Sequence, residues 1–322
     1  MIRTRLTDVL QIDHPVMLAG MGGVSYHHLV AAVSEAGGFG CMGASTMGPD
    51  EMVDEIAAVR TLTAKPFGVD LLTAAGDMET KVRQIIAGDA SVFVAGLGVP
   101  RDVVELCHAN NVIVMNMCGK VRHAVAAVEA GCDIVVAQGT EAGGHTGQVA
   151  TMALVPQIVD AVGDRVPVVA AGGITDGRGL AAALALGADG IWVGTRFIAT
   201  PEARATPGYK ETLLGLSDDG TVISRAYTGK TCRVVRNSYT QWWEEHPDEL
   251  QPFPAQVLRS MEDGANHLGA DADTEVDPER EFWPAGQGAG SIDELVPAGE
   301  LVERFVREAE DVLGRVGRTV VV

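Results

Sequence analysis

From residue 15 to residue 199 short runs of β-branched and apolar residues alternate with longer stretches of helical periodicity. Such a rhythm predicts parallel strands covered by helices. The strands expected are Pro15–Ala19, Phe39–Ala44, Phe67–Leu72, Ser91–Leu97, Val112–Cys118, Asp133–Gly139, Pro167–Ile174 and Gly190–Ala199. Between them HHLVAAVSEAG, PDEMVDEIAAVRTL, KVRHAVAAVEAG and DGRGLAAALALG read as helices, several of them closing on a glycine suited to the left-handed C-terminal position. Eight such repeats fit a closed α/β barrel, the (β/α)8 or TIM barrel, better than an open doubly wound sheet.

Beyond Ala199 the rhythm fails. Residues 201–290 hold most of the tryptophans, many prolines and the acidic run DADTEVDPERE, with helical patches such as ETLLGL and PAQVLRSMED. The expected organisation is a barrel over residues 1–200, an inserted smaller and mainly helical subdomain acting as lid or substrate wall over 201–290, and a C-terminal segment, 291–322, whose amphipathic stretch ELVERFVREAEDVLGRV supplies the helix that closes the barrel.

Composition narrows the partners. A chain of 322 residues, 47% hydrophobic and 21% charged, can bury a large core. Acidic residues outnumber basic ones by 43 to 24, and the net charge of −19 repels polynucleotides and anionic lipid surfaces. Five cysteines form no CxxC pair and sit mostly in apolar runs, as expected of reduced packing residues. No secretion signal opens the chain, and no run reaches the ~20 apolar residues needed to span a bilayer. A soluble cytoplasmic protein is expected, with oligomeric state left open and a homo-oligomer compatible.

The loops after barrel strands build the active site, and here they are rich in glycine. Gly20-Met21-Gly22-Gly23 follows the first strand, Gln138 to Gly147 the sixth, Gly172-Gly173 the seventh and Gly194-Thr195 the eighth. Bare amides in the last two loops, with the positive end of a following helix, suit a phosphate carried by either a cofactor or a substrate. His145 stands after two glycines at this rim, where a flat ligand can approach it and an imidazole can move protons near neutral pH. Gln138 offers an amide that both donates and accepts. Glu141 is near enough in sequence to orient His145, yet a loop carboxylate is more often simply solvated; Lys120 follows the fifth strand and could reach a substrate anion, although a lysine opening a helix is as often solvated. The other seven histidines lack partners at metal-ligand spacing, so no metal site is expected.

AQGTEAGGHTG at 137–147, PVVAAGGITDGRGLAAALALGADGIWVGTRF at 167–197 and the opening TRLTDVLQIDHPVMLAGMGGV together resemble the nitronate monooxygenase family, formerly 2-nitropropane dioxygenases. That superfamily also holds FMN-dependent enoyl-ACP reductases and NAD(P)H:quinone reductases. The resemblance implies FMN across the barrel mouth, with Met21 and Gly22 against the ring, Gln138 and Gly143 near the ring or ribityl chain, and Gly173 and Trp192–Thr195 around the phosphate. It implies that His145, flanked by Gly144, exchanges a proton or hydrogen bond with the substrate. Where relatives commonly carry asparagine after the third strand, in a GVN motif contacting the flavin, this chain has Gly68-Val69-Asp70. The segment Ala285 to Gly290 resembles the reductase branches.

The leading expectation is oxidation of an alkyl nitronate with O₂. Its redox competitor is NAD(P)H-driven reduction of an enoyl thioester or quinone, and its non-redox competitor a barrel lyase or isomerase with a phosphorylated substrate.

Overall fold

The computed structural model describes residues 2–72, 78–96 and 98–320. Helix α1 (Arg5–Leu10) opens the chain. The barrel then runs through β1 (Val16–Leu18), α2 (His27–Glu35), β2 (Gly40–Gly43), α3 (Pro49–Leu62), β3 (Phe67–Leu71), α4 (Met78–Ala87), β4 (Val92–Ala95), α5 (Arg101–His108), β5 (Ile113–Cys118), α6 (Val121–Ala130) and β6 (Ile134–Gln138). A two-residue strand, β7 (Gly144–His145), lies inside the sixth loop, and α7 (Thr151–Val162), β8 (Val168–Ala171), α8 (Gly177–Ala185) and β9 (Gly190–Val193) complete the repeat.

Eight parallel strands, β1 to β6 with β8 and β9, pair in the order β1-β9-β8-β6-β5-β4-β3-β2. The bridge between Met17 and Phe39 joins the two ends, with the Leu18 N–H donating to Phe39 O and the Phe39 N–H to Val16 O, both at 2.9 Å. This is the (β/α)8 barrel the pattern predicts, and all eight strands fall within the expected stretches; Leu97, at the end of the fourth, lies outside the described residues. Two strands stop early. The seventh ends at Ala171 because Gly172 (φ 109°) and Gly173 (φ 71°) turn the chain off the sheet. The eighth, expected to reach Ala199, ends at Val193, and residues Thr195–Ile198 form the short helix α9 instead.

Alternate residues point into the barrel and fill it: Met17, Phe39, Cys41, Val94, Met115, Val136 and Trp192 belong to one buried inner cluster. Helix α1 plugs the N-terminal end. Its Leu6 is fully buried, and a Cβ on Gly190 would lie only 2.4 Å from the Leu6 side chain, so that glycine makes room for the plug. With the bottom sealed, an opening is left at the C-terminal ends of the strands.

The chain covers that opening with α10 (Pro207–Leu214), β10 (Thr221–Ser224), β11 (Cys232–Val235), α11 (Ser238–Glu245) and α12 (Ala255–Glu262). The segment is not helices alone. Its two β-branched runs, TVIS and CRVV, pair antiparallel, and β11 pairs in turn with β7, setting Cys232 opposite His145. A second core, in which Tyr227 stacks on Phe282 at 4.6 Å and lies 5.0 Å from Tyr239, stiffens the segment. Helix α13 (Ala298–Val320) then returns to pack against α8 and α2. The contact is close, since a Cβ on Gly177 would lie 2.4 Å from the Glu308 Cβ, and the Glu308 carboxylate accepts from the Gly177 N–H. Among the described residues no helix is long and apolar enough to cross a membrane.

Candidate active site

Between the barrel rim and the covering segment lies a cavity of about 550 Å³. His145 and the eleven residues expected to hold the cofactor all line it: Met21 and Gly22 from the first loop, Asp70 from β3, Gln138, Gly143 and Gly144 with His145 from β6 and its loop, Gly172 and Gly173 from the seventh, and Trp192, Gly194 and Thr195 from β9 and the eighth. Lys120 does not line it; it is the N-cap residue of α6.

The first and eighth loops interlock. Ser25 Oγ accepts from the Met21 N–H at 2.7 Å, fixing the turn, and the Met21 side chain lies over Gly194, where an added Cβ would come 3.2 Å from Sδ. Thr195 Oγ1 accepts from the Gly286 N–H at 2.9 Å, tying the Ala285–Gly290 segment to the same wall.

In the seventh loop glycine is compulsory. Gly172 and Gly173 both have left-handed φ, and a Cβ on Gly172 would lie 2.7 Å from Thr151 Oγ1. The N-terminus of α8, expected to lend its dipole to an anion here, is already capped: the Asp176 carboxylate accepts from the Arg178 and Gly179 N–H groups. The glycine turn itself is therefore what this loop presents to the cavity.

The sixth loop holds the histidine. Gln138 Nε2 donates to His145 O at 2.7 Å, Gly144 takes φ 76°, and pairing with β11 fixes the backbone from the other side. Thr228 Oγ1 lies 3.0 Å from His145 Nε2 and donates to Lys230 O at 3.2 Å. When Thr228 donates to Lys230 O it accepts from His145 Nε2–H, and Nδ1 is then the basic nitrogen. Phe253 meets the ring edge-on at 6.5 Å, with the Lys230 ammonium over its own face at 4.2 Å. The imidazole opens onto the cavity, yet protein crowds it on the remaining sides. That desolvation, reinforced by Lys230, holds its pKa below the ordinary value. Glu141 does not orient His145; its carboxylate accepts from the Thr151 N–H and hydroxyl at 2.9 Å and so caps α7.

Asp70 stands at the floor of the cavity without a hydrogen-bond or ion-pair partner among the described residues, and burial pushes its carboxyl up to about 8. Sequence reasoning did not reach Thr228, Phe253 or Cys232. Each belongs to the covering segment, and its place depends on a strand pairing about ninety residues away from His145 along the chain.

Comparison with known proteins identifies the family and the fold. The sequence model of the family described as nitronate monooxygenase matches residues 3–81 and 73–308. A Staphylococcus saprophyticus protein named "Probable nitronate monooxygenase" is 31% identical, covering 98% of this chain and 99% of that one. A Mycobacterium tuberculosis protein named (3aS,4S,5R,7aS)-5-hydroxy-7a-methyl-1-oxo-octahydro-1H-indene-4-carboxyl-CoA dehydrogenase is 39% identical over 74% of this chain and 68% of its own. The solved structure of FabK from Thermotoga maritima superposes with a TM-score of 0.91 at 35% identity, covering 99% of this chain and 100% of that one. A lyase or isomerase reading of the barrel gives way to redox chemistry, and the chain belongs to the nitronate monooxygenase family of flavin-dependent oxidoreductases.

Proposed function

We propose that this chain binds FMN in the rim cavity and oxidises alkyl nitronates or similar small carbanions with O₂. One observation carries the reading: a histidine with a lowered pKa shares a single cavity with a turn built on two left-handed glycines. The residues fit the cofactor. Gly172 and Gly173 would pass their backbone close to its phosphate, Gly194 and Thr195 would flank it, and Met21, Gly22, Gln138, Gly143 and Trp192 would wall the ring. Bound there, FMN would supply the two-electron chemistry.

The protein's own contribution is placement and protons. With Nε2–H committed to Thr228, the neutral His145 ring keeps Nδ1 free to take a proton from a carbon acid or to hold a nitronate oxygen once protonated. Its depressed pKa keeps the basic form populated near neutrality. The Gln138 bond to His145 O prevents the loop from carrying the ring away. Phe253, Leu268 and Phe282 exclude water from the far side.

A second reading, NAD(P)H-driven reduction of an enoyl thioester or quinone, draws support from that same wall: Phe253, Val257, Met261, Leu268 and Phe282 offer more apolar surface than a short nitronate can cover. The two readings separate in one anaerobic experiment on the yellow protein. Bleaching of the flavin bands by propionate 3-nitronate alone supports the oxidase chemistry, and bleaching by NADH or NADPH supports the reductase. A colourless protein that takes up no added FMN defeats both.

A further inference from the structure

Alternation along β3 sends Phe67, Val69 and Leu71 outward to the helices and places Gly68 and Asp70 on the inner face. Asp70 pairs in register with Gly43 on one side and Val94 on the other. Its side chain lies hard against the first loop: a Cβ on Gly20 would come 2.3 Å from the Asp70 Cβ and 2.9 Å from Oδ2, and one on Gly96 would come 3.6 Å from Oδ1. The carboxyl therefore has one direction open, into the cavity that Met21, Met117 and Trp192 share with it. Nothing described nearby would stabilise a charge. The inner face of β4 beside it is apolar and the first loop holds glycine and methionine. The titratable neighbour is the Cys41 thiol of β2, buried and itself held neutral.

We propose, resting on the FMN reading above, that Asp70 grips the pyrimidine edge of the flavin as a neutral carboxylic acid, donating one hydrogen bond and accepting another. That edge presents an imide N–H between two carbonyls. A protonated carboxyl carries one donor beside one acceptor, the same pair that a primary amide carries, and so matches an N–H and its adjacent C=O together. A carboxylate can accept from the N–H only, and its second oxygen faces the ring carbonyl with nothing to donate. Burial, which holds the free carboxyl protonated to about pH 8, is what makes the match available under ordinary conditions. A carboxyl kept protonated in an apolar site so that it can donate is an established physical device. FMN retention thereby acquires a dependence on one ionisation, lost as the solution becomes alkaline.

The test is cofactor binding, read without turnover. Apo-protein is titrated with FMN by flavin fluorescence at about pH 6 and about pH 9, for wild type and for Asp70→Asn, which keeps the donor and acceptor at every pH. If only the neutral form binds, wild-type affinity falls about tenfold across that interval while Asp70→Asn stays within about twofold of its own value. The FMN phosphate completes its second ionisation just above about pH 6 and the ring N–H ionises at more alkaline pH; both act on the two proteins alike, so the ratio of wild-type to Asp70→Asn affinity isolates the carboxyl. An equal decline in both proteins overturns the role of Asp70, as does binding by Asp70→Asn at about pH 6 that is more than about tenfold weaker than wild type. Failure of wild type to bind FMN at either pH sinks the FMN reading along with this one. An infrared difference spectrum of wild type minus Asp70→Asn gives an independent answer near neutral pH, where the C=O band of a protonated carboxyl is expected in wild type; its absence overturns the proposal even if the variant folds poorly.

Discussion

Replacing Gly172 by alanine is expected to cost the protein most of its FMN affinity while leaving it folded. The magnitude follows from the local geometry. At φ 109° an L side chain is strained by roughly 1–2 kcal/mol. The new Cβ would also stand 2.7 Å from Thr151 Oγ1 and 3.2 Å from both Ala142 N and Gly139 O. Overpacking of this kind costs about 1–3 kcal/mol, so the turn as built becomes unfavourable by roughly 2–5 kcal/mol. Domains of ordinary stability, about 5–15 kcal/mol, survive that. The inexpensive relief is to swing the turn or the Thr151 hydroxyl aside, which loosens the Glu141 cap on α7 and the loop bearing His145. If about 2 kcal/mol of the strain must be restored to recover the binding geometry, FMN binds about 30-fold more weakly. Fluorescence titration of the apo-protein measures this, and a thermal melt run alongside separates binding loss from unfolding. Gly208→Ala is the control: nothing lies within 4 Å of its Cβ position in the first turn of α10, and a helical Gly→Ala change there is expected to stabilise by about 0.5–1 kcal/mol. Gly172→Ala protein that binds FMN within about threefold of wild type would refute the reasoning about the turn.

His145→Ala should retain FMN to within a few-fold yet lose about 10²–10⁴ in turnover with any substrate that needs proton transfer; a small loss in rate would remove the role assigned to its ring. In wild type the neutral imidazole is the active form, and its pKa lies below the ordinary ~6.5, so kcat/KM is expected to hold through neutrality and fall only on the acid side of that value; an inflection above neutral pH contradicts the burial argument. Tyr227→Phe removes a hydroxyl that accepts from Asn237 Nδ2 at 2.9 Å and donates to backbone carbonyls of the covering segment. A loss of about 1–3 kcal/mol should appear in urea unfolding, whereas unchanged stability would mean water replaces the partner at no cost. Arg5→Ala cuts paired contacts of 3.1 and 2.9 Å with Asp189, whose carboxylate is buried but still accepts from the Val168 N–H, so urea unfolding should show a loss of about 1–3 kcal/mol, and no loss would mean that solvent reaches the freed carboxylate.

What could be read without coordinates is what local chemistry determines. Barrel strands buried on both faces are short continuous apolar runs, and a chain that repeats them eight times with helices between has few ways to satisfy its backbone other than closing the sheet. Rim loops follow those strands by definition of the fold, so Gly172, Gly173, Gly194 and His145 could be placed at one mouth from their position after a strand alone. For Gly172 and Gly173 identity carried the rest, because a turn at positive φ excludes every residue with a side chain except at a cost.

Tertiary structure decided whatever depends on distant segments meeting. Thr228 reaches His145 across 83 residues because β11 pairs with β7, and no periodicity in either stretch announces that register. Glu141, four residues from His145, turns away to cap α7, since amides at a helix start compete successfully for a nearby carboxylate. Asp70 was visible as an unusual residue in the third strand, yet the upward push on its carboxyl comes from desolvation by the packed barrel around it, a property of the assembled interior that no linear segment possesses.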